Sequence, residues 1–120
     1  GPIDNPAIAH LGLEKLGVPG RPTPLLTGSL LFLGEGFTNQ RPGGRIPFDM
    51  PVEIATNSGG PWFRAYDKET GETVWEIELE AGTTSPPISY LHEGEQYVLV
   101  AIGDREHSPE MLAFKLPSQN

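Results

Sequence analysis

The sequence predicts an all-β fold built from antiparallel meanders, and three observations predict it. Glycine and proline, 15 and 13 of 120 residues, make up nearly a quarter of the chain, which suits closely spaced turns better than a helical core. Apolar residues recur at every second position in short runs bounded by turn residues, the pattern of half-buried strands. The stretch Ala65-Tyr66-Asp67-Lys68-Glu69-Thr70-Gly71-Glu72-Thr73-Val74-Trp75 reads as strand, tight turn, strand.

The elements follow in order. Residues 1–23 form an irregular lead-in. Its best helical candidate, residues 6–16, is limited to a turn or two at the surface by Gly12 and Gly17. Seven strands are then predicted at 24–26, 30–34, 62–66, 73–79, 87–91, 96–102 and 111–116. Phe63, Ala65 and then Val74 alternate with polar or amphipathic neighbours. Between them, the Asp67 carboxylate is placed to accept backbone N–H groups of the turn it opens, and Gly71 to take a positive φ without a β-carbon clash. Trp75 opens a strand with apolar residues at alternate positions, and its flat indole suits a wedge between stacked sheets.

An antiparallel meander puts successive turns at alternate ends of its strands. The connections 27–29, 68–72 and 92–95 therefore share one end, here the turn end. The connections 34–61, 80–86 and 103–110 share the other, the loop end. The turn-end connections are tight. The loop-end set contains one connection of more than twenty residues and one with an isolated histidine, His107. Long loops on a compact scaffold are common seats of function.

Composition narrows the function classes. A formal charge of −8 repels phosphate backbones, which argues against nucleic-acid binding. The acids are scattered, as on a solvated surface. The lack of cysteine removes disulfides and thiolate chemistry and permits an oxidising compartment without requiring one. No apolar run approaches the length of a membrane span. There is no phosphate-binding glycine loop, zinc-type spacing or Gly-x-Ser-x-Gly elbow.

The hairpin motif, with Ala65, Asp67, Gly71 and Trp75 at its fixed positions, resembles the tryptophan-docking repeat of quinoprotein dehydrogenases. These are β-propellers built around pyrroloquinoline quinone (PQQ). The series continues through Ala81-Gly82-Thr83-Thr84-Ser85-Pro86-Pro87-Ile88-Ser89-Tyr90, Glu93-Gly94-Glu95-Gln96-Tyr97-Val98 and Leu112-Ala113-Phe114-Lys115-Leu116-Pro117. Over 25–33 and 63–117 the order and spacing resemble the C-terminal end of membrane-type quinoprotein glucose dehydrogenases.

The resemblance implies the last one to two blades of an eight-bladed β-propeller. Residues 24–79 would make one full blade and 87–116 three strands of the closing blade, whose fourth strand would come from near the N-terminus of a longer protein. The segment is expected to be a fragment of that larger domain and inactive alone. The reaction implied is oxidation of an aldose or alcohol. A base removes the hydroxyl proton, hydride passes to the quinone, and calcium polarises the accepting carbonyl. Electrons pass on to a membrane quinone or a cytochrome. The base and the calcium ligands are implied to lie in earlier blades. The implied setting is periplasmic, with any membrane association left to parts outside the segment.

Several loop-end residues are candidates under this resemblance. Glu35 and Asn39 stand nearest the position where the family carries an acidic residue close to the cofactor. Thr84, within the hydroxyl cluster Thr83-Thr84-Ser85, is a candidate for the polar rim of PQQ, against a turn that satisfies its own backbone. Arg41 and His107 are candidates for substrate contact, Arg41 through a bidentate guanidinium. The alternative for each is a solvated loop residue. The 34–61 connection is longer than in the glucose dehydrogenases, and the His107 loop is shorter and lacks their glycines, so the substrate stays open. A rival reading is a non-enzymatic propeller scaffold of the bacterial envelope that presents a protein-binding surface. A third is a free-standing carbohydrate-binding β-sandwich.

Overall fold

The computed structural model describes residues 6–13, 22–36, 59–104 and 106–117. After a single 3-10 turn at Ala9–Leu11, closed by Gly12 at φ 60°, come seven strands. These are β1 (Leu25–Leu26), β2 (Leu30–Gly34), β3 (Trp62–Asp67), β4 (Thr73–Glu78), β5 (Ile88–His92), β6 (Glu95–Ile102) and β7 (Glu110–Lys115). Each lies within two residues of its predicted position. The helical candidate shrinks to that exposed turn, and residues 14–16 of it fall outside the described residues.

The strands form two antiparallel meanders. The first sheet runs β1-β2-β3-β4 and the second β5-β6-β7. Phe32 lies opposite Ala65, and Ala65 opposite Trp75, so one face of the first sheet carries Phe32, Ala65 and Trp75, with Phe63 and Ile77 in the next row. A register shift between Ala65 and Tyr66 leaves Val74 without a partner, while Trp75 stays in register with Ala65. Val74 is 55% exposed, which corrects its predicted place in the buried alternation. On the second sheet, Val98, Val100 and Ile102 of β6 are buried. They lie opposite Phe114, Leu112 and Glu110 of β7.

These two faces share one core. Phe32, Phe63, Ala65, Leu79, Ala81, Val98, Val100 and Ile102 form a single cluster drawn from both sheets. Trp75 is wedged at its margin, its ring centroid 6.0 Å from Phe63 and 5.4 Å from Phe114 of the facing sheet, both edge-on. Edge-to-face geometry suits the quadrupoles of such rings. The indole keeps 38% exposure, so it closes the rim of the core and does not fill its centre.

The turns obey their residues. Glu93 at φ 51° and Gly94 at φ 79° make the two-residue connection between β5 and β6, the twist-matched hairpin geometry. Lys68 donates from its backbone to the Ser29 carbonyl at 3.0 Å and from Nζ to the Thr27 carbonyl at 2.9 Å. Those bonds hold two turn-end connections side by side, as the meander topology requires.

Candidate functional site

The docking hairpin is built as the sequence demands. Asp67 Oδ1 accepts the backbone N–H groups of Glu69 and Thr70, each at 2.9 Å. The Gly71 amide donates to the Asp67 carbonyl at 2.9 Å, with Gly71 at φ 76°. Thr70 Oγ1 accepts the Glu72 amide at 3.2 Å. The hydrogen bond from Thr70, then that from Glu69, favour the ionised carboxylate and hold the Asp67 pKa below the usual range. All of this lies at the turn end, and it spends the aspartate on structure.

The loop end gathers the less regular segments. At the end of β2, Gly34 lies so close to the Thr83 side chain that any β-carbon there would run into its hydroxyl and methyl groups. Thr83 is 8% exposed and forms a lone bridge to Ile102 at the end of β6. The Thr84 amide donates to the Ala101 carbonyl at 2.9 Å, and the Gly103 amide to the Gly82 carbonyl at 3.1 Å. The connections after β2, before β5 and after β6 therefore meet at one end, bound across both sheets.

The sequence candidates fall within this end to different degrees. Asn39 and Arg41 lie outside the described residues. Thr84 is exposed, with its backbone N–H already committed to Ala101. His107 donates from Nδ1 to Asp104 Oδ1 at 3.0 Å, and the same oxygen accepts the Glu106 and His107 amides at 2.8 Å. A carboxylate only accepts, so the proton sits on Nδ1, and the His107 side chain is 45% exposed. The hydrogen bond to Asp104, then its charge, raises the His107 pKa. The Glu106 and His107 amides, in that order, lower that of Asp104.

Glu35 is engaged elsewhere. Its Oε1 accepts from Arg64 Nη1 at 2.6 Å, while Arg64 Nε donates to Glu76 Oε2 at 2.9 Å. Burial alone would lower the Arg64 pKa, but the hydrogen bonds to Glu35 and Glu76 outweigh it and the pKa is raised. Sequence reasoning missed Arg64 and Glu76, and named Thr83 only as a member of the hydroxyl cluster around Thr84. The Arg64–Glu76 pair had a signal, since the two residues sit opposite each other across a readable hairpin. The contact from Glu35, 29 residues away, had none. Among the described residues no hydrogen bond or ion pair joins Glu35, Thr84 and His107 to one another.

A cleft of about 560 Å³ opens between the sheets and is lined by Leu30, Phe32, Val74, Trp75, Phe114 and Leu116 among others. It is apolar and lies beside the docking tryptophan, toward the turn end, away from the loop-end groups. Chemically, the described part of the loop end offers the exposed hydroxyls of Thr84 and Ser108, one oriented imidazole and an arginine paired with two carboxylates. That set can fix the edge of a polar ligand, and among the described residues its arginine is already spent on two carboxylates. Among the described residues no group of three or more acidic or histidine side chains is placed to hold a metal ion.

Comparison with known proteins bears on this geometry. Residues 14–98 match the β-propeller domain family of PQQ-dependent glucose, ethanol and alcohol dehydrogenases. The chain is similar to a quinoprotein glucose dehydrogenase of Gluconobacter oxydans, 31% identical over 111 residues, covering 88% of this chain and 11% of that protein. It is also similar to a quinoprotein ethanol dehydrogenase of Pseudomonas putida, 38% identical over 50 residues, covering 42% of this chain and 8% of that protein. Subunit 1 of a methanol dehydrogenase (cytochrome c) of Paracoccus denitrificans is 36% identical over 42 residues, 35% of this chain and 7% of that one. The chain thus spans about a tenth of the length of the curated relatives it matches. No solved structure matches it significantly.

Proposed function

We propose, since the chain belongs to the β-propeller family of PQQ-dependent glucose, ethanol and alcohol dehydrogenases, that it supplies adjacent blades to such an enzyme. In this reading the whole protein oxidises an aldose or an alcohol in the periplasm and passes the electrons to a membrane quinone or a cytochrome. The observation that carries the reading is the division of labour between the two ends. The Asp67–Trp75 hairpin is spent entirely on docking one sheet against the next, while the Thr84 and His107 loops meet at the other end. The Gluconobacter relative, which aligns along most of the chain and is named for glucose, favours a sugar among the substrates.

Bound PQQ would supply the hydride-accepting quinone. It is a tricarboxylate, and its cradle calls for cations and hydrogen-bond donors. The described loop-end residues do not meet that need by themselves, because Arg64 already carries two carboxylates. They fit a place at the edge of the site, Thr84 with its hydroxyl and His107 with Nε2, while the cofactor cradle, the catalytic base and the calcium ligands belong to the rest of the propeller.

The test is calcium-dependent PQQ binding by the full-length protein that carries this chain, followed by a dye-linked assay on sugars and alcohols. Tight binding with turnover of at least one substrate is expected. A folded protein that takes up no PQQ would sink the enzyme reading and leave the docking repeats as a scaffold.

A further inference from the structure

Arg64 stands on β3, opposite Glu76 of β4 and on the face turned away from the core. Its guanidinium bonds both Glu76 and Glu35, and its central carbon lies 5.1 Å from the centroid of the Trp62 ring. Glu35 lies just beyond the end of β2, so one side chain ties β2, β3 and β4 together at the loop end. The second carboxylate oxygen of Glu35 fills the space that a β-carbon on Gly60 would occupy. Around this contact the Glu35 amide donates to the Trp62 carbonyl at 3.0 Å, and the Gly60 amide to the Gly36 carbonyl at 3.4 Å. The two stems that flank residues 37–58 are thereby held side by side, and the contacts converge on the Glu35 carboxylate.

We propose that Glu35 is a positioning residue: with Arg64 and Gly60 it forms a strut that sets where the chain leaves and rejoins the first sheet, and it is not a ligand of the cofactor. The reassignment rests on the dehydrogenase reading above. Two physical arguments support it. The Glu35 and Arg64 side chains are only 19% and 18% exposed, so water screens the pair less than a surface pair and breaking it strands a partly desolvated charge. A carboxylate turned toward an anionic quinone would also meet like charge, whereas here it meets a cation.

The strut is tested in the full-length protein with Glu35→Ala, Glu35→Gln, Arg64→Met, Gly60→Ala and the Glu35→Ala/Arg64→Met double variant. Each of Glu35→Ala, Arg64→Met and Gly60→Ala is expected to raise KM for glucose or ethanol, whichever is turned over, by about tenfold, with a smaller change in kcat. PQQ titration of the apo protein stays at the parent affinity. Glu35→Gln, whose amide oxygen still accepts from Arg64, restores most of what Glu35→Ala loses. The double variant is no worse than the worse single one, the mark of coupled partners. Amide exchange at Glu35 and Gly60 speeds up in the three disruptive variants whether or not the protein proves to be a dehydrogenase, so failure of the strut and failure of the enzyme reading are distinguishable. Loss of PQQ affinity in Glu35→Gln, or additive effects with unchanged exchange, would overturn the strut.

Discussion

Among the described residues, Asp67, Asp104 and His107 carry local pH dependence. The ionised carboxylates of Asp67 and Asp104 each accept two backbone N–H groups, so both pKa values lie lower in the folded chain than in the unfolded one. Their stabilising contribution is full above the unfolded value of about 4 and is lost as pH falls through the lower folded values. His107 runs the other way. Its raised pKa means a contribution present below about pH 6.5 and lost as pH rises through the folded value. All three groups meet solvent, which keeps each effect small. Asp67→Ala should lower the melting temperature at about neutral pH, where the charged acceptor is lost. Asp67→Asn keeps an acceptor oxygen and should retain more of the hairpin while flattening the acid limb. Circular-dichroism melts across the pH range check both. An Asp67→Ala protein that melts with its parent at neutral pH would show that the turn closes without the carboxylate.

At the scale of the elements, the contact between the sheets is carried by aromatic rings of unequal burial. Phe63 is fully buried and touches Phe32, Trp75 and Phe114 at 5.9 to 6.1 Å between centroids. Phe63→Ala should cost about 3–5 kcal/mol. Trp75→Ala removes a larger ring that keeps 38% exposure, and should cost less, about 1–3 kcal/mol. Urea unfolding followed by circular dichroism gives the order, and an equal cost would place Trp75 at the centre of the core. The strands themselves were legible in the sequence, because alternation and turn residues are local signals: Asp67, Gly71 and Gly94 each do what their chemistry dictates. The outward turn of Val74 was less so, since it sits at a register shift that no single residue announces. The loop end was legible as a place but not as a set of contacts. Glu35 read as a cofactor candidate because its position after β2 was visible, while the arginine that occupies it is separated by 29 residues. Thr84 read as the prominent hydroxyl although Thr83, its neighbour, is the one packed between the sheets. Contacts between non-adjacent segments leave no periodic trace.

At the scale of the whole molecule, the shared core covers one face of each sheet and leaves apolar side chains on the other. The outer face of the first sheet carries Leu31, Leu33 and Tyr66 along an open depression beside Leu26, which is 64% exposed. The outer face of the second carries Ile88, Tyr90 and Met111, 53%, 39% and 61% exposed. β5 is also an edge strand without a charged residue. Exposed apolar faces and bare edges invite association, and in a ring of blades both faces would be covered by neighbours. The 120-residue chain on its own is therefore expected to self-associate, with a sedimentation coefficient that climbs with concentration. Leu26→Lys together with Met111→Lys places a charge on each outer face at highly exposed positions, where the folded sheets lose little, and should shift the equilibrium toward monomer. Should the unaltered chain stay monomeric across a dilution series and still melt cooperatively, its two sheets are complete without flanking blades, and the propeller assignment of these faces fails. If association persists in the doubly substituted chain, a proline on the edge strand, Ile88→Pro, becomes the deciding substitution, because it removes a backbone donor from the β5 edge.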